Sequence, residues 1–170
     1  QTVSLYEHCA RSVKHGLRFG EHGLPLIGSG DWNDGMDKVG EQGKGESVWL
    51  AFFLYDVLAR FEQVARIKKD FDFADHCKKE AIQLSKNIDT HSWDGNWYRR
   101  AYFDDGTPLG SLENEECKID SIPQSWSVIS GAGSPERTDM AMDSAYSRLV
   151  QKENEIIRLF DPPFDHSALN

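Results

Sequence analysis

The sequence predicts a mainly α-helical domain, a layered array of helical hairpins of the toroid type, with long loops and one short β element. Three observations lead there. Five segments carry apolar residues at helical spacing. Apolar and amphipathic helices alternate, as they do when one layer is buried behind another. Alternating runs of the kind that make half-buried strands are almost absent.

Taken in order, Thr2 to Phe19 reads as an amphipathic helix, with Val3, Tyr6, Ala10, Val13 and Leu17 on one face and Gly20 as its stop. Gly23 to Gly45 holds seven glycines and Pro25, so it cannot be a stable helix. It is also too long for a plain connector, and ordered loops of that length are usually functional. Glu46 to Ile67 is apolar around most of its circumference and is expected to be deeply buried. Phe71 to Ile88 is a more amphipathic helix, with Phe73, Cys77, Ala81 and Leu84 in register. A short strand is expected at Trp97 to Tyr102, followed by a turn at Asp104-Asp105-Gly106. Pro123 to Ser130 is another apolar helix. Ser134-Pro135-Glu136 opens the last one, with Ser134 as N-cap and Pro135 in the first helical position, and it runs to about Val150. Ile156 to Phe160 is a short apolar run.

The 170 residues fit one domain, and residues 1–170 read as a single partial domain that stops inside a larger one. A net charge of -9 repels nucleic acid phosphates and anionic membrane surfaces, so neither is expected as a partner. No apolar run approaches 18 residues, so no direct membrane contact is expected of this segment. Cys9, Cys77 and Cys117 are odd in number and widely spaced, which predicts three free buried thiols in a reducing, cytoplasmic setting. The six histidines are scattered and predict no metal site.

The glycine-rich segment fails the common ligand motifs. Asn33 stands where a dinucleotide loop needs its third glycine, Gly45 follows Gly43-Lys44 where a phosphate loop needs Ser or Thr, and Met36 and Gln42 occupy the glycine and glutamate places of a calcium loop. What remains is Asp31-Trp32-Asn33-Asp34-Gly35. An indole face can cover the apolar C–H face of a pyranose, while Asp31 and Asn33 bond to hydroxyls. A carboxyl group such as that of Asp34, held against an aromatic wall, has the raised pKa that acid catalysis near neutral pH requires. The residue types alone somewhat favour a plainer reading, an Asx-turn loop that merely joins two helices.

A second cluster, Trp93 to Arg100, could line a saccharide groove through Arg100; core aromatics with solvated arginines is the alternative and fits Arg99 better. Gln124, beside Trp126, could orient a hydroxyl, or be a capping or buried amide.

Three segments together resemble glycoside hydrolase family 94, the inverting glycoside phosphorylases. They are Gly23-Leu24-Pro25-Leu26-Ile27-Gly28-Ser29-Gly30-Asp31-Trp32-Asn33-Asp34-Gly35, Gly45-Glu46-Ser47-Val48-Trp49, and Ile119-Asp120-Ser121-Ile122-Pro123-Gln124-Ser125-Trp126. Within the family the resemblance is to the branch that acts on β-1,2-glucans, including the phosphorylase-like domain of cyclic β-1,2-glucan synthases. It covers nearly the whole chain.

The resemblance implies an (α/α)6 barrel of which this chain holds a part, with Asp34 as catalytic acid, Trp32 in the glucosyl subsite, and Asp31, Asn33, Glu46, Arg100 and Gln124 as substrate contacts. It also implies glucosyl transfer with inversion between a β-glucan and α-glucose 1-phosphate. Inorganic phosphate is then a co-substrate and no cofactor is needed. Phosphate-binding residues are expected downstream of Asn170, so the isolated chain is expected to be inactive, and its cut apolar surface to favour self-association. The whole protein could be tethered to the inner membrane. An inverting hydrolase on a similar helical barrel is the alternative, and needs a second carboxylate such as Asp37 or Glu46 about 6.5–9.5 Å from the acid. A fragment that only binds sugar is a third reading.

Overall fold

The computed structural model describes residues 2–166, apart from the side chain of Asp34. The chain is mainly α, as its sequence predicts. Among the described residues, five helices, α1 (Leu5–Gly16), α2 (Val48–Ile67), α3 (Phe71–His91), α4 (Ser121–Ser130) and α5 (Pro135–Leu149), carry seven two-residue strands between and after them. The helices form the hairpins α2–α3 and α4–α5, and α2 packs against both α3 and α4.

The helix starts follow from capping chemistry. Ser4, Ser47, Asp70, Asp120 and Ser134 each accept a backbone N–H from the first turn that follows them. Three expected boundaries move as a result. The first helix begins at Leu5 and ends at Gly16, because Phe19 turns extended and pairs with Pro25. Glu46 is not helical: its backbone bridges to Leu26 and pairs with Tyr102, and Ser47 caps α2 instead. The fourth helix starts at Ser121, with Pro123 inside its first turn, where a missing N–H costs nothing.

Strand β1 (Glu46–Ser47) pairs antiparallel with β2 (Ala101–Tyr102), which pairs with β3 (Pro108–Leu109). The expected Trp97–Tyr102 strand is thus only its last two residues, preceded by an isolated bridge between Trp93 and Tyr98. The strands β4 (Ile119–Asp120) and β7 (Phe160–Asp161) form a second pair, and β5 (Val150–Gln151) and β6 (Ile156–Ile157) a third.

One apolar core runs between α2 and α3 and takes in Phe52, Leu58, Leu84, Ile88 and Tyr98. A smaller one, containing Ile27, Met36, Val39, Leu109 and Cys117, lies beneath the glycine-rich loop. Buried apolar side chains there give that loop a fixed shape. Glycine makes the shape possible by close approach: a Cβ on Gly45 would lie 2.4 Å from the Val39 carbonyl oxygen and 2.7 Å from the Gly40 Cα. Asp104 then staples the loop from the turn after β2, accepting the N–H groups of Gln42, Lys44 and Gly45. Burial works to raise its pKa, and those three donors outweigh it, holding the carboxyl below its usual range.

Of the three free thiols, Cys77 and Cys117 are buried; Cys9 is only half-buried, because its place on α1 lies off the face that packs on the core. Val128 and Ile129 on α4, and Met140 and Met142 on α5, are exposed.

Candidate active site

The loop that carries Asp34 is built around a buried ion network. Gly28 and Gly30 take φ values of 60° and 132°, which turn the chain back over Ile27 and aim the Asp31 side chain inward. There it is fully buried, and Arg100, also fully buried, places Nη2 2.7 Å from Asp31 Oδ1. Ser47, in β1, donates its hydroxyl to Asp31 Oδ2 at 2.8 Å and accepts from Arg100 Nη1 at 3.2 Å. The same hydroxyl caps α2 by accepting the Leu50 N–H at 3.0 Å.

On the far side of the guanidinium, Asp120 Oδ2 lies 3.3 Å from Arg100 Nε. That is close enough for ionic attraction, but neither atom has a hydrogen bond of good geometry. Asp120 Oδ1 meanwhile accepts the Ile122 N–H at 2.8 Å. One guanidinium therefore joins four segments: the glycine-rich loop, β1, the entry to β2, and β4.

Two buried carboxylates share that one cation, and the environments differ. Burial pushes Asp120 up to about 6; Arg100 and the Ile122 N–H pull the other way, and the Asp31 charge adds to the rise. The folded protein thus holds this proton more tightly than an unfolded chain, where Asp titrates near about 3.9. Ionising Asp120 consequently costs folding free energy, so this group lowers stability as pH rises from about 4 to about 6, with no further change beyond either end. Asp120→Asn removes that slope. Its urea midpoint, measured against the unmodified protein, is expected to improve between about pH 4.5 and pH 7; an unchanged difference over that range contradicts the assignment.

The residues after Asp31 are ordered from it. Asp31 Oδ1 also accepts the Asn33 N–H at 3.2 Å, and Asn33 Oδ1 accepts the Gly35 N–H at 3.1 Å. Asn33 is in this way the N-cap of a single 3-10 turn, Asp34–Met36, anchored by the buried Met36. The Asp34 backbone opens that turn; its side chain lies outside the described residues.

Trp32 stands beside it, 47% exposed. Its ring meets Trp49 edge-on with centroids 6.5 Å apart; Trp49 stacks on Phe53, and Trp126 closes on both. The loop thus presents an exposed indole backed by an aromatic cluster from α2 and α4, a surface suited to stacking on a sugar ring.

The other sequence candidates occupy different positions. Glu46 is buried on the opposite side of the sheet. It accepts the N–H groups of Leu24 and His22 and lies 2.5 Å from His22 Nδ1, closing the turn at residues 20–24. Gln124 is wholly buried. Its amide oxygen accepts the Tyr98 N–H, and its amide nitrogen donates to the carbonyls of Tyr98 and Asp120. Arg100 is equally inaccessible. These three side chains, expected from the sequence to touch sugar, make framework bonds here, most of them to segments far away in the chain. Asp37 is exposed at the end of the 3-10 turn. Arg99, read as solvated, is half-buried instead, bonded to Asp94 and to the Tyr102 hydroxyl.

Sequence reasoning missed Asp120 and Ser47 as members of the network. Asp120 was visible as a residue before an apolar helix, the place of an N-cap. Nothing local marked its pairing with Arg100.

A mainly helical domain with an aromatic wall beside a clamped, acid-bearing loop is an arrangement suited to holding a sugar. The Glycosyl hydrolase 94 superfamily catalytic domain model matches residues 1–170, and the chain belongs to that family. It is 50% identical over 162 residues to the cyclic beta-(1,2)-glucan synthase NdvB of Rhizobium meliloti, a match that covers 95% of this chain and 6% of the synthase. Solabiose phosphorylase of Paenibacillus borealis is 34% identical over 86% of this chain and 19% of that protein. N,N'-diacetylchitobiose phosphorylase of Vibrio furnissii is 30% identical over 86% of the chain and 18% of its own length. The chain therefore spans about a fifth or less of the relatives it matches.

Proposed function

We propose that this chain is part of the catalytic domain of an inverting phosphorylase that moves glucosyl units between a β-1,2-glucan and phosphate. The observation that carries the reading is the loop itself: an exposed Trp32, and Asp34 at the head of a turn held by bonds on both sides. The β-1,2 linkage rests on the similarity to the glucan synthase. Family membership and phosphorylase relatives support phosphate as the nucleophile.

The chemistry needs one carboxyl group from the protein. As phosphate attacks C1 from the face opposite the leaving chain, the Asp34 carboxylic acid gives its proton to the departing glycosidic oxygen. The C1–O bond to the glucan breaks, a C1–O bond to phosphate forms, and α-glucose 1-phosphate leaves. Asp34 ends as a carboxylate. In the reverse direction that carboxylate takes the proton of the acceptor hydroxyl. Phosphate is already anionic and nucleophilic, so no base is required and no cofactor enters. A hydrolase would need a second carboxylate to activate water. Glu46, one candidate, has both oxygens engaged by residues 22–24 and is buried, which leaves this alternative without its base on that side.

The test is an assay of the whole protein on β-1,2- and β-1,4-glucans with and without phosphate. Glucose 1-phosphate is expected from the β-1,2 substrate only when phosphate is present. Equal sugar release without phosphate contradicts the reading.

A further inference from the structure

We propose that Arg100 is the positioning residue of the acid loop: it fixes where Asp34 stands relative to the scissile oxygen, acting through Asp31 and without touching substrate. This rests on the reading of Asp34 as the acid.

Arg100 is held through its own backbone on both sides. Its N–H donates to the Leu109 carbonyl at 2.8 Å, its carbonyl accepts the Val48 N–H at 3.1 Å, and a Cβ on Gly110 would come within 2.5 Å of its nitrogen. The guanidinium therefore projects from a fixed point of the sheet. From there a series of bonds reaches the backbone on either side of Asp34. Arg100 Nη2 holds Asp31 Oδ1, that oxygen accepts the Asn33 N–H, and Asn33 Oδ1 accepts the Gly35 N–H. Asp34 lies between the last two residues. Ser47 takes the remaining Asp31 oxygen, so the Asp31 carboxylate cannot rotate without losing a bond.

Stability alone does not explain such a network. Burying two carboxylates and a guanidinium is costly, and well-packed apolar residues of similar volume often serve a fold as well or better. What an apolar cluster cannot supply is direction. A planar guanidinium that bonds Asp31 through Nη2 and Ser47 through Nη1 fixes angle as well as distance, and a misplacement near 1 Å at a reacting group can cost about 100-fold in rate.

The experiment uses the whole protein, with three variants assayed for phosphorolysis of a β-1,2-glucan: Arg100→Lys, Asp31→Asn and Asp34→Asn. Lysine keeps the charge but offers no fork. For Arg100→Lys we expect kcat per folded molecule to fall about 30- to 100-fold while KM for glucan and for phosphate stays within about threefold. Asp31→Asn, of equal volume, should show the same split. Should Arg100→Lys not fold, Asp31→Asn decides alone. A residue that only stabilised the domain would lower the melting temperature and leave kcat per folded molecule unchanged, and that result overturns the proposal. The Asp34→Asn arm separates the two claims. If it is inactive while Arg100→Lys and Asp31→Asn turn over normally, positioning fails and the acid assignment stands. If Asp34→Asn itself is normal, the acid assignment is what fails.

Discussion

Asp34→Asn in the whole protein is expected to lower kcat for phosphorolysis of a β-glucan by about 1,000-fold or more, since general acid catalysis contributes about 100- to 10,000-fold and an alkoxide is a poor leaving group without its proton. The amide keeps the volume and can still bond to neighbours, so the 3-10 turn should persist. Asn33 caps that turn and Met36 anchors it, and neither bond passes through the side chain at position 34. Glucan binding is expected to survive, because Trp32 and the aromatic cluster behind it are untouched. A variant with intact KM and vanishing kcat is the signature of an interaction made only in the transition state. Turnover within tenfold of the unmodified protein would contradict the assignment.

The second large effect is structural. Phe52→Ala is expected to remove about 3–5 kcal/mol of unfolding free energy, the range for truncating a buried aromatic. Phe52 has no exposed surface and meets the Tyr98 ring edge-on at 5.0 Å. It joins α2 to the segment that carries Arg99 and Arg100, so the cavity would open where the helical hairpin meets the network beneath the loop. Urea midpoints measure this directly. A loss below about 1 kcal/mol would mean that the site collapses freely around the gap.

The helices were legible in the sequence because each is specified locally. A nearly continuous apolar run placed α2, apolar spacing placed α3, and Ser134-Pro135 marked the start of α5 to the residue. Their errors come from long-range pairing: Glu46 could continue a helix on composition, and only pairing with Leu26 and Tyr102 makes it a strand. The glycine-rich loop was legible as an ordered segment, while its shape was not. Nothing in the order of residues says that Gly45 packs on Val39 and Gly40, or that Asp104 closes the loop from outside.

The network was the least visible part. Arg100 and Asp31 are 69 positions apart, and no periodicity spans that interval. Residue type suggested sugar contacts for Arg100 and Gln124 because arginine and amides bind saccharides well. The fold uses the same donor geometry inward, where two carboxylates and three backbone groups need partners. Whether a polar side chain faces a ligand or a framework is decided by topology, which spacing does not encode.

In the proposed reaction one protein carboxyl protonates the leaving oxygen while phosphate attacks from the opposite face. Its most direct measurement is the anomeric configuration of the sugar phosphate first formed from a β-1,2-glucan by the whole protein, followed by NMR during phosphorolysis. α-Glucose 1-phosphate is expected, appearing in step with phosphate consumption. β-Glucose 1-phosphate as the first product, or free glucose formed at the same rate without phosphate, would contradict it.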